Sequence, residues 1–334
     1  MNPRERILAA LNHQQPDRIP CLEVWIAGMD DALRIDEPLH AHGELGQDGV
    51  LLPWEAPQES NSWKNGIDEW GRVWKDGMYK NGVVDTPADL ERYQTPAGYE
   101  DQFFNLGQVE RIKAAYPDHC WFFGTHIGPF MNAYLSMGLA SFCMRIVSDP
   151  TFVHALMAAR TEWCLAVFKK AIQLGSELII MGDDSAHSNG PFISPAMWRE
   201  FVLPYHKHIV QTLSVPVLWH SDGNITKLLP MAVEAGFAGI HGLEPWSVSL
   251  AKVKADYGAN LVLIGNADVR VLCSPEIDPV HQEIKRCIRE GGSRGYIFSS
   301  CNSIFSGMNP NAVNEFFRFQ KAYIQGENSE IYFS

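Results

Sequence analysis

His220 and Asp222 stand two positions apart where the apolar run 215–219 ends. Side chains two apart in a strand project to the same side, so an imidazole and a carboxylate are predicted to face one cavity, with Ser221 pointing away. A neutral imidazole nitrogen and a carboxylate oxygen are both ordinary zinc ligands. A hydrogen-bonded pair at a strand end is the alternative, so a metal site needs further donors nearby.

Other apolar runs in the chain also end in polar side chains: Thr125 and His126, Asp183 and Asp184, Glu244, Asn266 and Asp268, and Cys301 with Asn302. Each one alone is most simply a cap, a turn or a hydrogen bond to the next loop. Their recurrence at successive strand ends indicates a shared site. Nitrogen, oxygen and sulfur donors suit tetrahedral zinc, and the predicted metal ligands are His220, Asp222, Glu244 and Cys301.

The elements that position these residues alternate regularly from residue 120 onward. Strands are predicted to begin near residues 120, 177, 215, 239, 261 and 296, with a helix after each. This alternation is typical of a parallel sheet with right-handed crossovers. With a further strand over 18–26, the pattern predicts an α/β fold, a (β/α)8 TIM barrel, whose active site lies at the carboxyl ends of the strands.

The region 30–118 is irregular, and we expect it to be an insertion that caps one end of a single barrel domain spanning residues 1–334. Within it, residues 68–75 and 82–85, separated by turn formers at 80–82, predict a β-hairpin. Tryptophans concentrate here. Together with Trp25, which precedes the region, they either wall a pocket for a flat ligand or pack the cap onto the barrel: Trp54, Trp63, Trp70 and Trp74.

Composition indicates a soluble globular protein, since 46% of the residues are hydrophobic and 20% are charged. A net charge of −12 argues against a nucleic-acid partner, because phosphate binding needs clustered Lys and Arg. The sequence has no secretory signal and no apolar run long enough for a membrane helix, which predicts a cytoplasmic protein. The seven cysteines are scattered, without a Cys-x-x-Cys motif, so we expect buried thiols and no disulfide framework.

Motifs along almost the whole chain resemble those of the uroporphyrinogen decarboxylase superfamily, and within it the branch of zinc-dependent corrinoid methyltransferases. The motifs are Arg4-Glu-Arg-Ile-Leu-Ala-Ala-Leu-Asn-His13 with Pro16-Asp-Arg-Ile-Pro20, Gly182-Asp-Asp184, Gly190-Pro-Phe-Ile-Ser-Pro195, His220-Ser-Asp-Gly-Asn224, Leu243-Glu-Pro245, Gly265-Asn-Ala-Asp268 and Ser300-Cys-Asn302. This resemblance is specific for the superfamily and less so for the reaction.

Superfamily members that methylate coenzyme M hold zinc with a His-x-Cys pair, a glutamate on the following strand and a cysteine on the last strand. The resemblance therefore implies His220, Glu244 and Cys301 as ligands, with Asp222 where the first cysteine would be. A carboxylate in place of a thiolate makes zinc a harder Lewis acid, which suits an ether oxygen.

The implied reaction moves a methyl group from a small methylated substrate, with a methoxylated aromatic as the expected donor, to the cobalt of a corrinoid carried by a partner protein. Asp184 or Glu23 is the predicted acid that protonates the leaving alkoxide. The predicted substrate-binding residues are Trp25, His126, Asp183 and Asn266. The remaining expected partner is a second copy of the chain, in a homodimer.

Three different functions remain open at this point. Uroporphyrinogen decarboxylases grip propionates with arginines in the loop after the first strand, but residues 25–31 contain no Arg, and an acidic rim suits a polycarboxylate poorly. A thiol methyltransferase of the coenzyme M type and a non-catalytic corrinoid-binding protein also fit the resemblance. His206 and His208 face different ways on one helix and are predicted to be surface or packing residues.

Overall fold

A seven-stranded parallel sheet forms the centre of the molecule in the computed structural model, which describes residues 1–54, 64–94 and 98–326. The strands along the chain are β1 (Ile26–Ala27), β2 (Gly49–Leu51), β3 (Asn65–Ile67), β4 (Arg72–Lys75), β5 (Met78–Gly82), β6 (Cys120–Thr125), β7 (Leu178–Gly182), β8 (Ala186–His187), β9 (Gly190–Pro191), β10 (Val217–Ser221), β11 (Gly239–Gly242), β12 (Val262–Gly265), β13 (Tyr296–Ile297) and β14 (Ile304–Phe305). The sheet order is β13-β12-β11-β10-β7-β6-β2.

The segment that precedes β1 joins the two edges of this sheet. Cys21 bridges Phe298 in parallel, and the amide of Asp48 donates to the carbonyl of Cys21. Beyond it, β1 pairs in parallel with β14, Ile26 opposite Ile304. The sheet therefore closes on itself, which confirms the predicted barrel.

Helices follow the strands. They are α1 (Pro3–Leu11), α2 (Asp30–Leu33), α3 (Ala41–Glu44), α4 (Pro87–Arg92), α5 (Leu106–Ala115), α6 (Pro129–Met137), α7 (Leu139–Ser148), α8 (Pro150–Gln173), α9 (Pro195–Phe201), α10 (Leu203–Thr212), α11 (Leu229–Ala235), α12 (Leu250–Tyr257), α13 (Asp278–Gly291) and α14 (Pro310–Gln325), with short 3-10 turns at Pro38–His40, Tyr99–Phe103 and Val269–Cys273. Ser194 caps α9 by accepting from the Met197 amide.

Strand alternation divides the core into an inner and an outer layer. Alternate residues such as Leu178, Ile180 and Leu218 fill the barrel interior, whereas Ile179 and Trp219 pack outward with the helices. The interior is therefore solid apolar packing below His220, and the polar residues stand above it at the carboxyl ends of the strands.

The predicted hairpin is present as part of a small antiparallel sheet, β3-β4-β5, but its turn was misplaced. Strand β5 begins at Met78, and the chain turns at Asp76 and Gly77, where φ is 53° and 71°. Asp-Gly readily adopts two successive positive φ angles, which match the twist of a hairpin. This local preference overrides the turn formers at 80–82.

The range 30–118 is not one insertion. Strand β2 lies inside it and pairs in parallel with β6, Gly49 opposite Cys120, as a stave of the barrel. Because β2 has only three residues, no alternating pattern marked it in the sequence. Of the tryptophans assigned to this region, Trp70 is buried against Trp163, while Trp63 lies outside the described residues.

None of the seven cysteines, all of which lie in the described part of the chain, forms a disulfide. In the described part of the chain, no single helix has the length and apolar character needed to cross a membrane. The pair α6 and α7, bent by 98°, reaches that length and composition only when taken together.

Candidate metal centre

His220, Asp222 and Asp184 form a compact group at the carboxyl ends of β7 and β10. One ligand atom from each residue lies within 4.8 Å of the others. The Nε2 atom of His220 is 3.5 Å from Oδ1 of Asp222 and 3.9 Å from Oδ1 of Asp184. Among the residues that the structure describes, this is the one group of three or more acidic, His or Cys side chains with such geometry.

Backbone contacts between the two strand ends hold the carboxylates together. The Asp222 amide donates to Oδ1 of Asp184 at 3.0 Å, and the Ser185 amide donates to the hydroxyl of Ser221, also at 3.0 Å. Gly223 then turns the chain with a φ of +80°, and a Cβ there would lie 2.6 Å from the Ala186 carbonyl. This close approach requires glycine.

The His220 ring is fixed from behind by His241, which occupies the opposite position on β11. Their Nδ1 atoms are 2.8 Å apart, so one ring donates and the other accepts. If His220 donates, its Nε2 presents a lone pair to the two carboxylates. The Nε2 atom is buried and has no hydrogen-bond partner among the described residues.

Aromatic rings line the same recess. Trp25, anchored by its indole N–H on the Gly124 carbonyl, lies 4.2 Å from the His126 ring and 4.7 Å from the His220 ring, between centroids. His126 is accessible to solvent, and Trp25 is half-buried. A flat surface therefore stands beside the three donor atoms.

Burial sets the charge state of this recess. It lowers the pKa of His220 well below the usual range and that of His241 to about 3, so both imidazoles are neutral. Burial and the neighbouring acids raise the pKa of Asp222 to about 7, and burial raises the pKa of Asp184. The His126 ring opposes the shift at Asp184 only in part, so the two carboxylates mainly face each other and neutral imidazoles.

The three donor atoms fit a divalent cation. A buried nitrogen without a hydrogen bond faces two carboxylate oxygens that repel each other, and a cation between them would relieve both conditions. One nitrogen and two oxygens leave a position open for substrate, as in catalytic zinc sites.

Glu244 and Cys301, the other predicted ligands, border this group without joining it. The Glu244 carboxylate accepts from the Gly223 amide, and burial, with a smaller contribution from the Asp184 charge, raises its pKa. The Cys301 thiol is buried, and burial with nearby acids, including Asp222, raises its pKa. Of the four predicted ligands, only His220 and Asp222 belong to the compact group. Its third member is Asp184, which the sequence predicted as a proton donor.

Asp183 does not face the recess, contrary to the substrate-binding role predicted for it. Its carboxylate accepts from the amides of Phe130 and Met131 at the start of α6, and lies 2.6 Å from Nε2 of His206. His206 is fully buried, whereas His208 is exposed. These three contacts all join Asp183 to the barrel wall, so its role is to hold α6 and α10.

Asn266, also predicted to bind substrate, is fully buried and engaged in structure. Its amide donates to the Leu243 carbonyl at 2.7 Å, and its Oδ1 accepts from Arg286 at 2.9 Å. Because both ends of the side chain have protein partners, a substrate would have to break one of these bonds.

Glu23, predicted as a proton donor to the leaving group, is buried with both carboxyl oxygens on Ser300. It lies in the segment before β1, inside the strand that the sequence predicted over 18–26. Its contact with the last strand depends on barrel closure, which a single strand pattern does not reveal.

Two residues of the site were missed or undervalued. His241 was predicted only as part of a strand. It is nevertheless the second-to-last residue of β11, just as His220 is the second-to-last residue of β10. Asn302 donates its side-chain amide to Oδ1 of Asp222 at 2.8 Å and thereby orients that carboxylate.

Comparison with known proteins places this geometry in context. Residues 75–323 match the family described as uroporphyrinogen decarboxylase (URO-D). A methylated-thiol–coenzyme M methyltransferase from Methanosarcina mazei is 27% identical over 189 residues, which cover 56% of this chain and 50% of that protein. The chain therefore spans about half the length of this relative.

Two further relatives align over more of their length. A methylcobamide:CoM methyltransferase, MtbA, from Methanosarcina acetivorans is 25% identical over 86% of this chain and 89% of that protein. A uroporphyrinogen decarboxylase from Geobacter metallireducens is 28% identical over 69% of each chain. Sequence identity alone does not separate the two activities.

A solved structure described as a methyltransferase from Methanosarcina mazei superposes with a TM-score of 0.78, at 19% identity, over 97% of this chain and 99% of that chain. At this identity, the superposition supports the fold and carries no statement about the reaction.

Proposed function

The chain belongs to the uroporphyrinogen decarboxylase (URO-D) family, and from this premise we propose that it is a zinc-dependent methyltransferase. It moves a methyl group between a small methylated substrate and the cobalt of a corrinoid carried by a partner protein. The observation that carries the proposal is the buried Nε2 atom of His220, which faces the carboxylates of Asp184 and Asp222 without a hydrogen-bond partner among the described residues.

His220, Asp184 and Asp222 are the proposed zinc ligands. When bound, zinc would polarise the oxygen or sulfur atom from which the methyl group departs, which stabilises the charge that develops there. His241 keeps the His220 ring in one orientation, and Asn302 does the same for Asp222. Such contacts from behind the ligands typically strengthen metal binding.

The methyl-bearing substrate is proposed to lie against Trp25 and His126. Their rings form a wall beside the donor atoms, and an aromatic ring stacks favourably on such a surface. A methoxylated aromatic would place its ring on this wall and its ether oxygen toward His220. Two of the donor atoms are carboxylate oxygens, a harder set than thiolates, which favours an ether over a thioether.

The decarboxylase alternative is less consistent with the recess. The side chains around Trp25 are neutral imidazoles and acids, and the loop 25–31 supplies no Arg. A substrate with several carboxylates would meet like charge from Asp184 and Asp222 there.

Elemental analysis of the purified protein tests the metal site. Stoichiometric zinc is expected in the native chain and in the control H208A, whose exposed imidazole lies on α10, and is expected to be lost in H220A and D222A. Retention of zinc in C301S together with loss in D184A would support the ligand group described here. The reverse pattern would favour the ligands predicted from the sequence.

A donor screen tests the reaction. The zinc-loaded protein is mixed anaerobically with cobalt(I) cobalamin and methoxylated aromatics, methylated thiols or methylamines, and methylcobalamin is followed by its absorbance. Methylation by an aromatic ether, absent in H220A, is the expected result. Zinc binding without methyl transfer from any donor, combined with release of CO₂ from uroporphyrinogen, would overturn the proposal.

A further inference from the structure

Glu23 and Ser300 form a buried contact that the proposed reaction does not use. Glu23 lies before β1 and Ser300 lies after β13, on the two sides of the seam that closes the barrel. The Glu23 side chain is 1% exposed, and its Oε2 accepts from the Ser300 amide at 3.0 Å. A buried carboxylate normally requires a cation or several donors.

The hydroxyl of Ser300 has more neighbours than it has protons. Its Oγ lies within hydrogen-bond distance of Oε1 of Glu23 and 2.6 Å from the backbone carbonyl of Asn302. A carbonyl oxygen can only accept, so the single hydroxyl proton belongs to the Asn302 contact. The contact between Oγ and Oε1 then needs a second proton, and the Glu23 carboxyl is the group that can supply it.

Electrostatics agree with this proton count. Burial raises the pKa of Glu23 to about 7, and the hydrogen bonds from Ser300, the Val24 amide and the Ser299 side chain offset only part of that effect. Two titratable rings lie close by. The ring of His42 contacts the Glu23 carbonyl, and burial lowers its pKa to about 4; the ring of His241 contacts the Ser300 backbone, and burial lowers its pKa to about 3. No charged group is therefore among the main influences on Glu23.

The same turn reaches the candidate metal centre. The Oδ1 atom of Asn302 accepts from the Ser303 amide at 2.6 Å, which fixes the orientation of its side chain. The amide nitrogen therefore points at Asp222 and donates to its Oδ1 at 2.8 Å. A contact that fixes the 300–302 turn therefore also fixes the direction in which the Asn302 amide donates.

We infer that Glu23 is a neutral carboxylic acid that donates to Ser300, locks the 300–302 turn, and so positions the Asn302 amide on Asp222. Glu23 is a positioning residue and not a proton donor to substrate. The part of this inference that concerns metal affinity rests on the proposed function, whereas the protonation of Glu23 does not.

The substitution E23Q tests the inference, because a glutamine amide reproduces the donor and the acceptor of a protonated carboxyl. Infrared difference spectra between the native protein and E23Q at pH 5 are expected to show a protonated-carboxyl C=O band in the native protein alone, and this band should be lost at pH 8. Zinc affinity of E23Q is expected to stay within about threefold of the native value, whereas E23A should bind about 10- to 100-fold more weakly.

Asp48 supplies the matched control. It is equally buried but has cationic partners, since it forms ion pairs with Arg18 at 2.8 Å and Arg6 at 3.1 Å. The same acid-to-amide change, D48N, should lower the Tm by about 5 °C or more, whereas E23Q should shift it by less than about 2 °C.

Several outcomes would contradict the inference. Absence of the band, or destabilisation of E23Q as large as that of D48N, would show that Glu23 is ionised. Equal zinc affinity in E23A and E23Q would remove the positioning role. Should E23A not fold, S300A tests the same turn. If the native protein binds no zinc, the proposed function fails, while the infrared and Tm results still decide the state of Glu23.

Discussion

His241 fixes the orientation of the His220 ring through the contact between their Nδ1 atoms. Replacing His241 with Ala leaves the Nδ1 atom of His220 buried without its partner at 2.8 Å, so the ring loses its fixed orientation. We expect H241A to bind zinc about 10- to 100-fold more weakly, in a calorimetric titration, with the fold retained. H208A is the control, and equal affinity in both variants would contradict the role given to His241.

Glu23 makes stability depend on pH. Its pKa is raised from 4.5 to about 7 in the folded chain, so its contribution to stability is full below about pH 4.5 and is lost as the pH rises through 7. The loss amounts to about 3 kcal/mol. His42, with a pKa of about 4, stays neutral across most of this interval.

The measurement is urea unfolding of the native protein and E23Q at pH 5 and pH 8. The stability of E23Q relative to the native protein should increase by about 3 kcal/mol between the two pH values. Parallel pH dependence of the two proteins would mean that Glu23 does not titrate in this range.

For single residues, the sequence predicted which way side chains point within one strand. It did not predict which side chains of different strands contact each other. The shared orientation of His220 and Asp222 follows from a period of two residues, and the 3.5 Å contact between them agrees with it. The pairing of His220 with His241 needs the register between β10 and β11, and the contact of Glu23 with Ser300 needs the closed barrel. Neither is encoded in a local pattern.

Among the elements, α6 and α10 depend on a single carboxylate. Asp183 accepts from two amides at the start of α6 and contacts His206 on α10, entirely out of solvent. Removing one partner of such a buried network costs about 3–5 kcal/mol, and we expect D183N to lose about that much in urea unfolding.

The neighbouring residue provides the control. The Asp184 side chain is 24% exposed at the recess, so D184N should change the unfolding free energy by less than about 1 kcal/mol while it weakens zinc binding. Comparable destabilisation of the two variants would mean that the division between a structural Asp183 and a site-facing Asp184 is wrong.

Elements of ordinary length could be predicted, and the shortest could not. Strand-helix alternation after residue 120 identified the barrel because each unit carries its own apolar run and cap. Strand β2, with three residues, and β1, with two, are too short to show a period, and both are defined by their neighbours instead. The predicted bounds of the cap, 30–118, were wrong for the same reason, because the short strand β2 inside them belongs to the barrel.

For the whole molecule, we expect metal binding to increase the free energy of unfolding. A ligand that binds only the folded chain at 100 times its dissociation constant adds about 2.7 kcal/mol. We expect zinc to raise the Tm by roughly 5 °C in differential scanning calorimetry, and a chelator to reverse the rise. A similar rise in H220A would indicate that zinc binds elsewhere.

The pairing of residues 21–27 with residues 298–305 also determines at what point during synthesis the barrel can close. A ribosome delivers Glu23 long before Ser300, so the amino-terminal segment emerges while its partner strand is still unmade. The barrel can close only after residue 305 has been synthesised, because the residues that pair with the amino-terminal segment come that late in the chain. Shorter nascent chains would leave strand edges unpaired, and exposed strand edges are templates for aggregation.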